Sequence, residues 1–395
     1  MTAWGNMGSQ LTFTLRSTQF QTIMTQKTPE KLYVSSPMTE QERKLHYPLG
    51  DTLPEQGQAI EVAPDVKWLR IGLPFALNHI NLWLLRDHID GQDGWTVVDC
   101  CIDRPESRAQ WEQVFVNALE GLPILRVIVT HMHPDHVGLA HWLCERWGVA
   151  LWMSGMDYHV VRMACAPNSG FDGVESAQFF AKHGLVDPVS QEKLKARSNY
   201  FTSLVPDIPR SYRRMMDGDI IKINSKLWRC ISGYGHAPEH IALHCEEAKV
   251  LIGGDMMLPR ISTNVSVYNI EPESNALQLF LDSIDKFAPC APDTLALPSH
   301  GKPFVGVHER IKQLHDHHAE RLTEVRDTCA AQPSSAADVL PVMFKRELDL
   351  HQTTFAMGEV IAHLHFLWFK GELKREFCTD GIYRFSTIAH SQPNW

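Results

Sequence analysis

Thr130-His-Met-His-Pro-Asp-His-Val-Gly138 decides the reading of this chain. The residues just before it, 124–130 (ILRVIVT), form an almost uninterrupted apolar run, the pattern of a strand buried on both faces. Residues 136–147 then show helical periodicity, and 149–153 give another strand pattern. The polar residues therefore stand where a buried strand hands over to a helix. His131 and His133, two apart as the chain leaves the sheet, can both reach one cation. Asp135 and His136, in the turn that opens the helix, can serve a second. Imidazole with a hard oxygen suits zinc, and iron or manganese accept the same donors. The plainer alternative is four solvated residues in a loop.

Working outward, three later residues fit the same site. His236 in Gly235-His236-Ala-Pro-Glu-His240, Asp255 in Gly253-Gly-Asp255, and His300 in Pro298-Ser-His300-Gly301 each stand just past an apolar run. Glycine beside each allows close backbone approach. Upstream, residues 68–73, 80–85 and 95–100 are short β-rich runs, with turn signals at Asp90-Gly and Asp93-Gly, and 110–119 reads as a helix. Strand signals resume at 219–223, 227–232, 241–245, 250–252 and 294–297. Strands alternating with helices indicate a layered α/β core. Residues 155–214 carry helical stretches but little strand pattern, and read as an insertion that supplies binding walls.

Composition bounds the function. The chain has 395 residues, 44% of them hydrophobic and 21% charged, so wholesale disorder is excluded. A net charge of −9 argues against a protein whose main work is wrapping a polyanion. No stretch approaches about 20 uninterrupted apolar residues, so no membrane span is expected. Nine scattered cysteines, an odd number, point to a reducing compartment and a cytoplasmic protein.

The domain reading follows. Residues 1–28 form a disordered leader without the features of a secretory signal. Residues 29–64 are irregular, punctuated by prolines. A catalytic domain spans 65–310, a connecting helix 311–331, and a small C-terminal domain 332–395. That last part reads as a short helix, an apolar helix over 355–369 and a hairpin over 373–385 turning at Asp380-Gly.

With these motifs in order, the chain resembles the metallo-β-lactamase superfamily, in the branch of glyoxalase II-like thioesterases and lactonases, over roughly residues 60–310. The resemblance implies a four-layer αββα sandwich. It implies that His131, His133 and His236 bind one divalent metal, that Asp135, His136 and His300 bind the other, and that Asp255 bridges them. Asp99, ending Val97-Val-Asp, matches the family's early aspartate, which orients ligands from outside. The family follows it with Thr-Gly, whereas this chain has Cys100-Cys101, read as two small buried residues. Two cations about 3.5–4 Å apart lower the pKa of a bridging water, whose hydroxide attacks a carbonyl held against one metal. Asp135 is the implied proton shuttle. His240 is expected to touch the ligands rather than the metal, and Tyr268 is a candidate contact to substrate.

Other features are read more plainly. His315-Asp-His317-His318 is taken as a solvated helix face rather than a third metal site. The C-terminal helix, helix and hairpin resemble a winged helix, but the apolar helix has Glu359 as its sole charge and the hairpin's basic residues are offset by acidic ones. Nucleic acid is therefore an unlikely partner, and the segment is expected to pack, to cap the active site or to form a homodimer. The favoured function is a dinuclear-metal hydrolase of a small ester, thioester or lactone. The alternatives are a phosphodiesterase or ribonuclease with the same metal pair, and an iron-dependent dioxygenase of the same fold. Lys193–Arg197 and Arg210–Arg214 read as solvated surface, with binding of an anionic tail as the alternative.

Overall fold

Two sheets stacked face to face carry the site. The computed structural model describes residues 37–166, 173–197 and 199–388, and the unit described below is Thr39–Trp395. The leader expected over 1–28 lies outside the described residues. The first sheet runs in chain order: β1 (Ile60–Ala63), β2 (Val66–Gly72), β3 (His79–Ile89), β4 (Gln92–Val98), β5 (Ile124–Ile128), β6 (Leu151–Ser154) and β7 (Tyr212–Met215). It is antiparallel from β1 to β4 and parallel from β4 to β7. The second contains β8 (Ile220–Ile223), β9 (Lys226–Gly233), β10 (His240–Cys245), β11 (Val250–Gly254), β12 (Leu295–Pro298) and β13 (Phe304–Val305), in the order β13-β12-β11-β10-β9-β8. There β11 and β12 are parallel, and the other pairs are antiparallel.

The period of two along each strand sorts side chains into three apolar layers. Ile241, Leu243 and Cys245 of β10 meet Ile128 and the stacked Trp68 and Trp83 between the sheets. Val127 and Val129 face the other way, onto Trp111 and Val114 of helix Pro105–Asn117 and Leu143 of helix Ala140–Trp147. Ala242 of β10 faces the opposite outside layer, with Phe280 of helix Ala276–Asp285 and Leu314 of helix Val307–Ala331. Helix, sheet, sheet, helix is the four-layer α/β architecture the resemblance implies.

Several boundaries differ from the sequence reading. The stretch 29–64, read as irregular, contains a capped helical turn, Glu40–Arg43, and the edge strand β1. The insertion 155–214 has three helices, Gly155–Ala164, Gly173–Lys182 and Pro188–Lys195, but its end enters the first sheet as β7. Tyr-Arg-Arg-Met escapes a hydrophobic reading because Arg213 packs over the Trp152 ring at 4.4 Å rather than entering the core. Residues 136–147 are two helices, Pro134–Val137 and Ala140–Trp147. The connecting helix starts at Val307.

The C-terminal part has helices Ala336–Met343 and Leu350–Phe369, then the hairpin β14 (Leu373–Phe377) and β15 (Tyr383–Thr387). Helix Leu350–Phe369 is apolar because it is core: Met357, Val360, Ile361, Leu364 and Leu367 join the same buried cluster as Phe280 and Leu314.

Candidate metal centre

The site forms where strands of both sheets end. Thr130, two residues past β5, gives its amide to Asp99 Oδ1 at 2.8 Å and its hydroxyl to Asp99 Oδ2 at 2.9 Å. Its carbonyl accepts the Ile241 amide at 2.8 Å, which ties the loop to the second sheet. His133 then takes an extended backbone, and Pro134, which needs no amide partner, opens a single helical turn that presents Asp135 and His136. Gly138 is required here, since a Cβ would lie 2.6 Å from Ile102 Cα and 2.7 Å from the Leu204 carbonyl.

The side chains converge tightly. His131 Nε2 is 2.9 Å from His133 Nδ1 and 3.2 Å from His236 Nε2. Asp255 Oδ2 is 3.3 Å from His236 Nε2, and its Oδ1 is 3.5 Å from both His136 Nε2 and His300 Nε2. Asp135 Oδ2 lies 3.4 Å from His300 Nε2 and 3.8 Å from His136 Nε2. The donor atoms form two groups, His131, His133, His236 and Asp255, and Asp135, His136 and His300. All seven residues named from the sequence fall in these groups.

Hydrogen bonds on the far side of each ring fix what it presents. His136 Nδ1 lies 2.8 Å from Asp99 Oδ2, His236 Nδ1 2.7 Å from the Asn264 carbonyl, and His300 Nδ1 2.7 Å from the His79 carbonyl. A ring that donates outward from Nδ1 keeps an Nε2 lone pair for the centre. His136 Nε2 and Asp255 Oδ1 are buried without a hydrogen-bond partner among the described residues. In proteins the large majority of buried polar atoms are hydrogen-bonded, and these two point at the other donors of the centre. Tetrahedral zinc with bonds of about 2.05 Å would hold nitrogens about 3.3 Å apart, near the spacing seen. The residues fit a pair of divalent cations.

Electrostatics divide the rings: against the opposing effect of burial, the carboxylates of Asp99, Asp135 and Asp255 raise His136 well above the usual histidine range, and those of Asp255 and Asp135 raise His300. Burial, reinforced by neighbouring imidazoles, holds His131 well below the usual histidine range and His133 down to about 3, so both remain neutral donors. Burial works against the charge on Asp135, but His136 and His300 beside it prevail and bring it to about 2. Asp255 is held low in the same way, chiefly by His300 and His136.

The other named residues divide. Asp99 holds His136 directly. The His240 ring lies 5.0 Å from that of His131, but neither of its nitrogens has a hydrogen-bond partner among the described residues. It packs beside the ligands without holding one. Cys100 and Cys101 are buried; burial drives both thiols up, Cys101 to about 12, and Cys101 Sγ donates to Ser107 Oγ at 3.6 Å. Tyr268 lines a cavity of about 610 Å³ that reaches His133 and His236. The solvated face expected at 315–318 needs correction. His315 does pair outward with Asp285, but His318 is fully buried, with Nδ1 3.1 Å from His363 Nε2 of the C-terminal helix.

Four structural residues escape the sequence reading. His79 and Asn264 act through backbone carbonyls, which leave no side-chain signature. Asn81 gives its side-chain amide to the Pro298 carbonyl at 2.8 Å and accepts from Trp68 and Arg70, pinning the His300 turn. Asp157, buried in helix Gly155–Ala164, accepts the amides of Met132 at 2.7 Å and Glu239 at 2.8 Å, so it clasps two ligand loops. Ser154 capping that helix is the local signal that could have found it.

Comparison with known proteins agrees with this geometry. The family described as "Metallo-beta-lactamase superfamily" matches residues 77–300, and "Metallo-beta-lactamase-like, C-terminal domain" matches 322–388. A "Beta-lactamase domain protein" from Burkholderia ambifaria is 54% identical, with a TM-score of 0.84, covering 89% of this chain and 100% of that one. A metallo-beta-lactamase family protein from Thermus thermophilus is 26% identical, with a TM-score of 0.67, covering 83% and 100%. The "Probable metallo-hydrolase YqjP" of Bacillus subtilis (strain 168) is 26% identical over 315 residues, 77% of this chain and 92% of its own length.

Proposed function

This chain belongs to the metallo-beta-lactamase superfamily, and from that premise we propose that it is a dinuclear-metal hydrolase of an ester, thioester or lactone carbonyl. The observation that carries the reading is Asp255, whose two oxygens face the two donor groups at 3.3 and 3.5 Å. His131, His133, His236 and Asp255 would hold one cation, and Asp135, His136 and His300 with Asp255 the other, with zinc favoured by the donor set. Bound there, the pair would supply Lewis-acid polarisation of the carbonyl and a nucleophilic water near neutral pH.

The chain's own residues do the rest. A bond forms between the water oxygen and the carbonyl carbon, and the bond to the leaving oxygen or sulfur breaks. Asp135, ionised and beside His300, accepts the water's proton and returns it to the leaving group. Asp99 keeps His136 oriented through the cycle. Acyl chemistry is preferred to phosphodiester chemistry because, among the described residues, one arginine, Arg197, and one glutamate, Glu271, line the cavity beside His133 and His236, so their charges offset. The C-terminal domain in this reading backs the catalytic loops instead of reading nucleic acid.

The test is a matched pair, an acyl thioester and a bis-aryl phosphodiester, given to metal-loaded protein with His131→Ala as control. Preferential thioester cleavage, lost in the variant, is expected. Preferential phosphodiester cleavage would overturn the acyl assignment.

A further inference from the structure

The cavity that reaches the metal centre is built from parts outside the two sheets. One wall is the insertion: Val160 from helix Gly155–Ala164, Phe180 from Gly173–Lys182, Leu194 from Pro188–Lys195, and Phe201. The facing wall has Leu279 of helix Ala276–Asp285, and Phe355 of the C-terminal helix closes another side. Met132, Pro134 and Ala237, neighbours of the ligands in sequence, line the end nearest the centre. A volume of about 610 Å³ is far more than a small acyl group needs.

The wall area it exposes is mainly apolar, and part of its polar lining is engaged internally. Ser176 Oγ donates to Asn269 Oδ1 at 3.3 Å, and the Arg197 guanidinium lies 4.4 Å over the Tyr200 ring. Apolar side chains continue along the cavity to solvent, where Met156, Ile270 and Leu279 stay 57%, 46% and 39% exposed. Exposed apolar surface continuous with a pocket marks a binding site.

We propose that the substrate carries a long hydrocarbon arm on the scissile carbonyl group, seated in this cavity with the carbonyl beside His133 and His236. This rests on the carbonyl-hydrolase reading above and replaces its small acyl group with an extended apolar one. The arm could belong to the acyl side or to the leaving group. Both offer the cavity the same chemistry, since burial of each methylene strengthens binding by about fourfold.

The experiment has a binding and a turnover part, both on full-length metal-loaded protein. Straight-chain methyl ketones, which carry a carbonyl but no leaving group, are titrated by calorimetry with chains from about four to about twelve carbons; affinity is expected to rise about two- to fourfold per methylene. Thioesters are then compared with the acyl chain varied, and again with the thiol chain varied; the series with the steeper rise in kcat/KM identifies the arm. Val160→Trp, which narrows the cavity, should flatten the rise for the longer chains. If that variant fails to fold, Leu279→Trp at the partly exposed facing wall makes the same test. Ketone affinity independent of chain length, with turnover equally flat in both series, overturns the proposal. Flat dependence with good thioester turnover would remove the arm and keep the hydrolase. A steep rise in ketone affinity without any thioester turnover would keep the apolar site and remove the hydrolase reading.

Discussion

The two halves of the metal centre are held by different means. His131, His133, Asp135 and His136 come from one six-residue stretch after β5, and His136 is anchored by a carboxylate, Asp99, at 2.8 Å. His236, Asp255 and His300 come from three loops after β9, β11 and β12, and both imidazoles are anchored by neutral backbone carbonyls, those of Asn264 and His79. A carboxylate anchor raises ligand basicity and can be lost with one side chain. A carbonyl anchor is as good geometrically, but it moves only when its loop moves. The first half therefore depends on single residues, and the second on packing between distant segments.

Asp255 comes from the second half but faces both groups of donors, so Asp255→Ala should have the largest effect of all. Bound metal, measured by elemental analysis after dialysis, should fall from two equivalents to one or fewer. Hydrolysis should drop by more than the roughly hundredfold that loss of an outer partner can cost. Retention of two tightly bound ions would break the comparison at its shared point.

Asp99→Asn tests the first half. Asp99 sits in the left-handed backbone region at φ 64°, which asparagine also tolerates, so the turn should survive. The amide oxygen can still accept from Thr130, but the NH₂ then faces His136 Nδ1 and forces the proton to Nε2, removing that nitrogen as a ligand. Affinity for one of the two metals should fall about 10- to 100-fold, with the other little changed. Asn264→Ala tests the second half. It removes the bonds to Ser266 Oγ at 2.7 Å and Glu359 Oε2 at 3.3 Å, but keeps the carbonyl that His236 uses. Metal competition should show a loss of a few-fold, well below that of Asp99→Asn. Equal losses would mean that both halves depend on side chains alike.

The same contrast explains what could be read from the sequence. The first half lies in six consecutive residues, and its strand is visible because both faces of 124–128 are covered. His236, Asp255 and His300 were legible only through the strands before them and the glycines beside them. Gly254 shows why a glycine is there: its φ is 55°, and a Cβ would lie 2.1 Å from His240 Nε2. The carbonyl anchors at His79 and Asn264 were illegible because any residue has a carbonyl. Helix Ala276–Asp285, which walls the cavity, went unread although its apolar residues are spaced for a helix. His318 misled because a run of histidine and aspartate looks solvated; its burial is created by Phe280 and the C-terminal helix, both far away in sequence.

That C-terminal helix gives the smallest of the expected effects on metal binding, together with a defined pH dependence of stability. Val267 N donates to the Gly358 carbonyl at 3.1 Å, and Asn264 reaches Glu359 on the same helix, so the loop that anchors His236 rests on this element. Burial raises the Glu359 carboxyl from 4.5 to about 7, with Asn264 and Arg321 opposing the shift. The folded state thus keeps this proton after the unfolded chain has released it. Stability contributed in this way is fully present below about pH 4.5 and is lost as pH rises through about 7. Glu359→Gln keeps the shape and an acceptor for Asn264 but has no proton to lose. Its stability relative to the parent, followed by chemical denaturation, should be near zero at pH 4.5 and rise by an amount on the order of 3 kcal/mol by pH 7.5. Metal affinity at neutral pH should change by less than in Asn264→Ala, because the loop keeps its bonds. A difference in stability that stays constant across this range would mean that the carboxyl is ionised in the fold, with its charge held by Arg321 and Asn264.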